Sequence, residues 1–208
     1  MGKLDLFVHS RASGDGELPG EEIIRLAVKK NVTTLAITDH DSIGEVKKAM
    51  FWGERLSVEV IPGSEVFCRN KDKPVHMLAY YIELDNSAVS YAIFKDERNS
   101  KNPLVIEYRE KCKNPVLEFV TQLLVCGKPF FSPNYIPETK EFIDAVHQSG
   151  GVAILVHSGY KQMEVDFNNT EFVDDLVDQR ISGVEAYYTT HTEEETQKYT
   201  WSIVKNII

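Results

Sequence analysis

Positive charge, cysteine and long apolar runs are all scarce in this chain. Lysine and arginine total 23 against 32 acidic residues, which leaves a net charge of −9 over 208 residues. A surface of that sign offers no basic face to duplex nucleic acid. It does not exclude a short nucleotide, because bound cations would reverse the field inside a carboxylate-lined pocket. The three cysteines, Cys68, Cys112 and Cys126, are odd in number and lack C-x-x-C spacing, which predicts reduced thiols rather than disulfides or a zinc–thiolate site. No apolar stretch approaches the roughly 20 residues needed to cross a bilayer. The first residues, Met1 to Leu6, lack the long apolar segment of a secretory signal. These absences predict a cytoplasmic protein with no membrane partner.

What is present describes a soluble globular chain. Apolar residues make up 42% and charged residues 26%, and 208 residues can bury one sizeable core, so a single domain over 1–208 is expected. Residues 3–8 alternate as a first strand ending at His9. Residues 21–31 carry Ile23, Ile24, Ala27 and Val28 at helical spacing, with acids early and Lys29 and Lys30 late, as the helix dipole favours. A β-branched strand over 33–38 runs into Asp39 and His40. A helix follows to Leu56, with Ser42 a candidate cap. Strands over 57–61 and 75–82 come next, the latter with His76 near its start.

The strand–helix rhythm breaks over about 86–135, a polar, helix-like stretch that reads as an insertion beside the sheet. It resumes with a helix over 139–149, a strand over 152–156 ending at His157, a helix over 170–178 with Asn169 as its cap, a strand over 181–186 and a helix over 193–208. Strands alternating with helices predict an α/β fold with a largely parallel sheet or barrel.

Four of the six histidines fall in one ordered set with carboxylates: His9, Asp15, Asp39, His40, Glu65, His76 and His157. Most directly follow an apolar run, where side chains project from strand ends onto the rim that carries the site in barrels and open sheets. Ionisable residues so close to buried strands are costly unless they bind something. Imidazoles and carboxylates together suit several divalent ions, and a carboxylate such as Glu65 can bridge two of them. The pattern predicts a hydrolase site with more than one metal.

The motifs resemble those of the PHP family of metal-dependent phosphoesterases, named for polymerase and histidinol phosphatase members. The resemblance rests on Asp5-Leu6-Phe7-Val8-His9-Ser10, Ser13-Gly14-Asp15-Gly16, Thr38-Asp39-His40-Asp41, Pro62-Gly63-Ser64-Glu65, the lone His76, and Gly150-Gly151-Val152 through His157-Ser158. It extends over nearly the whole chain and points to the sub-family with a helical insertion. It implies a distorted (β/α)7 barrel with a three-metal rim. Glu65, His76 and His157 would hold one ion, His9 and Glu65 would share a second, and Asp15 with His40 a third. Two or three ions of manganese, zinc or iron would then activate water against a phosphoester. Asp39, His40 and Glu65 are the expected catalytic core, with Asp39 and Asp41 orienting His40. Arg11, Lys161 and His191 are candidate contacts to a substrate phosphate. The implied substrate is a small phosphorylated metabolite, nucleotide or short oligonucleotide.

Two departures temper that reading. Phe7 stands where the resemblance implies a histidine, and a phenyl ring has no lone pair to offer a metal. The family's last ligand motif and last strand are expected beyond Ile208, where the sequence given stops. The competing expectation is therefore a truncated or degenerate PHP-fold protein that binds metal or a partner with little turnover, its open sheet edge inviting dimerisation. An amidohydrolase is a third reading, weakened because neither a carbamylated lysine nor a final strand aspartate is visible.

Overall fold

Alternating and β-branched residues form the first strands, and each returns through a helix whose apolar stripe must be buried. The computed structural model describes residues 2–71, 73–84, 136–156 and 170–185. β1 (Lys3–Val8) leads through a loop to α1 (Gly20–Lys30), then to β2 (Val32–Ile37), α2 (Val46–Leu56) and β3 (Glu59–Asn70). α1 buries Ile23, Ile24 and Ala27 and stops at Asn31, whose left-handed backbone (φ 57°) lets its N–H reach the last carbonyls.

α2 lacks the predicted Ser42 cap. Glu45 is its N-cap and provides no side-chain bond of its own, while the Ser42 hydroxyl accepts the Gly44 N–H at 3.1 Å within the preceding loop. The Glu45 carboxylate turns instead to the neighbouring helix, accepting the Gly20 N–H at 2.9 Å. That bond satisfies one of the donors α1 leaves open at its start.

β4 (Lys73–Tyr80), α3 (Thr139–Gln148), β5 (Val152–Val156), α4 (Thr170–Asp178) and β6 (Gly183–Val184) complete the described elements. The six strands form one curled α/β sheet in the order β1-β2-β3-β4-β5-β6. β1–β2, β2–β3 and β5–β6 are parallel. β3–β4 and β4–β5 are antiparallel, so the largely parallel sheet predicted from the rhythm is corrected over its central portion. The cause is the length of β3. It runs to Asn70 rather than Ile61 and folds back as a hairpin after Lys71, itself left-handed (φ 57°). His76 consequently lies inside β4 and not at its start.

Register divides the side chains between two faces. Val66, Cys68, Met77, Ala79 and Leu155 face the helices and join Ile24, Val46, Phe142, Ile143 and Phe172 in the main core. Glu65 lies opposite Leu78, and His76 opposite both Phe67 and Val156, so these residues share the concave face. Burial of the apolar core against helices therefore leaves the inner face to carry the ionisable groups. Tyr80, further along β4, reaches over that face and donates its hydroxyl to the Leu6 carbonyl of β1 at 2.7 Å. Among the described residues no helix is long and apolar enough to cross a membrane.

Candidate metal centre

The sheet itself brings the motifs together. β2 continues beyond Ile37 as a short extension, where Glu65 N–H donates to the Asp39 carbonyl at 3.0 Å and Asp41 N–H donates to the Glu65 carbonyl at 2.7 Å. Those two bonds fix His40 beside Glu65. Thr38 N–H, bonded to the Val8 carbonyl at 2.9 Å, fixes the end of β1 beside the same extension. Gly63, buried between β2 and β4, permits the close packing: a Cβ there would lie 2.7 Å from the Ala79 carbonyl oxygen.

Five of the predicted residues meet at this rim. Glu65 is fully buried at the centre. Its Oε1 is 2.6 Å from His76 Nδ1. Its Oε2 is 3.1 Å from His9 Nε2 and 3.5 Å from His40 Nδ1. Asp15 completes the group, with Oδ2 at 2.8 Å from His9 Nδ1 and 3.5 Å from His40 Nε2. The three imidazoles stand in a row, 4.6 Å between the His9 and His40 ring centres and 5.4 Å between those of His40 and His76.

A metal site is testable against this geometry. Nitrogen and oxygen ligands about 2.1 Å from one ion lie roughly 3–3.5 Å from each other. Two trios approach that spacing, His9 with Asp15 and His40, and His40 with Glu65 and His76, each with donor atoms all within 4.8 Å of one another. His9 Nε2 is buried and makes no hydrogen bond, its 3.1 Å approach to Glu65 being poorly aligned. A buried nitrogen aimed at a carboxylate without a bond fits a position meant for a cation. The donor set therefore suits divalent metal ions.

Without such ions the charges compensate one another. Burial works against a charged His9, but the bond to Asp15 and the nearby Glu65 carboxylate outweigh it and push the imidazole up to about 10. His40 is raised for the same reason, with burial opposed by the charge of Glu65 and the bond to Asp15. Burial would raise the Asp15 carboxyl, but His40, His9 and the Ser13 hydroxyl hold it well below the usual carboxylate range.

Other residues singled out in the sequence find their partners nearby. Asp39 is fully buried, and burial raises its carboxyl group. It was expected to orient His40, yet its two oxygens accept the Ser10 N–H at 2.5 Å and the Ser10 hydroxyl at 2.6 Å. Asp41 accepts the Phe67 N–H at 3.3 Å. Arg11 was expected to meet a phosphate. Its guanidinium lies 2.8 Å from Glu45 and ties the loop to the start of α2. Phe7 lies edge-on to His9 with 5.3 Å between ring centres, so its phenyl group borders the trio it does not join. Sequence reasoning missed Ser10, Ser13 and Ser64 as site-building residues, although all three stood inside the motifs. His157, His191, Lys161 and the insertion over about 86–135 lie outside the described residues. Val156, directly before His157, pairs with His76.

Comparison with known proteins agrees with this architecture. The family model of the PHP domain matches residues 5–205. The 5'-3' exoribonuclease Rnm of Escherichia coli is 29% identical over 191 residues, covering 74% of this chain and 65% of its own. The chain thus spans just under two thirds of that relative's length. The phosphoribosyl 1,2-cyclic phosphate 1,2-diphosphodiesterase of Eggerthella lenta is 24% identical over 226 residues, covering 90% of this chain and 84% of that protein. Among solved structures, a protein of Bifidobacterium adolescentis provisionally assigned as a metal-dependent phosphoesterase superposes with a TM-score of 0.77. It shares 19% identity over 99% of this chain and 84% of that one, which shows a common fold.

Proposed function

The chain belongs to the PHP family, and on that premise we propose that it hydrolyses phosphoesters with divalent metal ions held by His9, Asp15, His40, Glu65, His76 and His157. The proposed substrate is a small phosphorylated metabolite, a nucleotide or a short oligonucleotide, in line with the names of its relatives. The observation that carries the reading is the convergence of two donor trios sharing His40, drawn from four separate segments of sequence.

Bound ions would supply Lewis acidity toward a phosphoryl oxygen and lower the pKa of a coordinated water toward neutrality. The protein's own part is positional. Asp15 accepts a proton held on His9 Nδ1, which in the neutral ring leaves the Nε2 lone pair directed at Glu65. Glu65 offers Oε1 on the His76 side and Oε2 on the side of His9 and His40, the disposition a bridging carboxylate needs. Its complete burial keeps bulk water from competing for either oxygen. His9 and His40 would have to give up their extra protons to hold an ion, which would couple occupancy to pH.

One observation favours a second reading. Phe7 withholds a ligand within the described rim, so the same fold could bind metal with little turnover. The deciding experiment begins with elemental analysis after reconstitution with Mn²⁺ and removal of free ion. An assay against a nucleoside 3',5'-bisphosphate and a short 5'-phosphorylated RNA follows. Two or more ions with chelator-sensitive hydrolysis support the enzyme. Two ions with no hydrolysis of either substrate support the second reading, and fewer than one ion per chain refutes the metal centre.

A further inference from the structure

Asp39 presents an unusual combination. It is a fully buried carboxylate, yet it spends both side-chain oxygens on one residue, Ser10, that belongs to neither trio. Burying a carboxylate is costly, and an apolar residue would fill the space without that penalty. What the carboxylate accomplishes is visible in its connections. The Ser10 hydroxyl accepts the Ala12 N–H at 3.1 Å, and the Ser10 carbonyl accepts the Ser13 N–H at 2.9 Å. The Ser13 hydroxyl donates to Asp15 and accepts the His40 N–H at 3.3 Å. The loop carrying His9 and Asp15 is thereby folded onto Ser10. On its other side the Asp39 carbonyl accepts the Ser64 hydroxyl and the Glu65 N–H, each at 3.0 Å.

We propose that Asp39 is a positioning residue for His9, acting through Ser10: its side chain fixes the His9–Asp15 loop while its backbone fixes Glu65, and together they set the spacing across which an ion is gripped. The inference rests on the metal reading above and goes beyond it, since it assigns Asp39 to one trio and not the other. His40, Glu65 and His76 are aligned by backbone pairing of β2, β3 and β4, which needs no Asp39 side chain. His9 and Asp15 depend on the loop. A carboxylate is the fitting group because it accepts from two donors at once, whereas an amide presents one acceptor oxygen.

The test uses the full chain and four variants: Asp39→Ala, Asp39→Asn, Ser10→Ala and the Ser10→Ala/Asp39→Ala pair. Mn²⁺ stoichiometry and affinity are measured by calorimetric titration, with His76→Ala as the control that damages the other trio. The expected result is selective. Asp39→Ala weakens the ion on the His9 side by about 10- to 100-fold, as loss of a ligand-orienting partner typically does. The ion held by His40, Glu65 and His76 keeps its affinity within about threefold on the same scale. Asp39→Asn loses less than Asp39→Ala, and the double variant loses no more than the worse single one, because both break one connection. Equal weakening of both ions, or additive losses, overturns the proposal and marks Asp39 as a general core residue. If the parent chain binds no Mn²⁺, the metal reading fails by itself. The positioning claim is then decided in the metal-free chain by the imidazole ¹⁵N–¹H spectrum. Displacement of the His9 resonances alone in Asp39→Asn supports it, and unchanged His9 resonances refute it.

Discussion

The two donor trios share His40 but are built in different ways. Glu65 and His76 stand on adjacent antiparallel strands, and the backbone ladder from Gly63–Tyr80 to Asn70–Lys73 sets their separation. His9 and Asp15 stand beyond the end of β1, in a loop closed by serine hydroxyls and a buried aspartate. Exposure follows the same division: the Glu65 side chain is 0% exposed and that of His76 7%, against 17% for His9 and 25% for Asp15. The strand-borne trio inherits its precision from the sheet. The loop-borne trio must make its own from side-chain bonds each worth about 1 kcal/mol. Substitutions that leave the sheet intact should therefore separate the two.

The change expected to break both at once is Glu65→Gln. Its carboxylate contacts His9, His40 and His76, and an amide cannot bridge two cations. Mn²⁺ binding should fall to one ion or none, and any hydrolysis should drop by about 10³-fold or more, the scale of removing a central electrostatic group. The metal-free variant should still fold, because it relieves the burial of a charge. A Glu65→Gln chain that keeps two tightly held ions would show that Glu65 is not their bridge.

A more selective break is Gly16→Ala. A Cβ at position 16 would lie 1.9 Å from the Ser10 carbonyl oxygen, so the loop must open by more than an ångström. The ion on the His9 side should weaken by about 10- to 100-fold, the range found when the support of a ligand is disturbed. The strand-borne trio should hold its ion unchanged. Loss of both ions in a calorimetric titration would mean that the trios are coupled through His40 more tightly than their separate scaffolds imply.

Acidity sharpens the comparison without any mutation. In the chelated chain the His9 imidazole has a folded value of about 10, above its ordinary 6.5. Its contribution to stability is therefore complete below about pH 6.5 and is lost as pH rises through 10. Asp15, held below the usual range, contributes above its ordinary 3.8 and loses that contribution as pH falls toward its folded value. Thermal stability of the chelated chain should peak between these limits and decline from pH 6.5 upward. With Mn²⁺ present the decline should vanish, since the ion replaces the proton on His9. A melting temperature that rises with pH in the chelated chain would contradict the assignment of that proton.

The sequence made much of this rim legible, because most of its candidate ligands follow an apolar run or a turn that the sequence marks. His9, Asp15, His40, Glu65 and His76 could all be named from that pattern, and all five lie together. What was not legible depended on long-range pairing. Pro62-Gly63 reads as punctuation that ends a strand, whereas the glycine is there because two carbonyls crowd it from β2 and β4. That misreading shortened β3 and hid the hairpin that carries His76. Asp39 lies next to His40 in sequence, which suggested that it serves His40. Alternation along the extended chain turns neighbouring side chains to opposite sides, and Asp39 serves a residue 29 positions away instead. The bond between Arg11 and Glu45, 34 positions on, was equally out of reach of a local reading.

The smallest effect concerns the one described hydrogen bond that joins the two scaffolds over the concave face. Tyr80 belongs to β4 with His76, and its hydroxyl donates to the carbonyl of Leu6, three residues before His9. It stands opposite Gly63 in the β3–β4 pairing. Burial, together with the charges of Glu185, Glu65 and Asp5, raises the phenol, so it stays protonated and remains a donor throughout the accessible pH range. Tyr80→Phe removes that bond alone. A partly buried neutral hydrogen bond is worth about 1 kcal/mol, which for a chain of this size lowers the melting temperature by about 2–4 °C. If the bond also holds β1 in place beneath His9, the ion on the His9 side should weaken by a further factor of about 2–5 while its neighbour is untouched, because a small displacement of β1 is a fraction of that bond's energy. A lower melting temperature with both affinities unchanged would confine Tyr80 to stability.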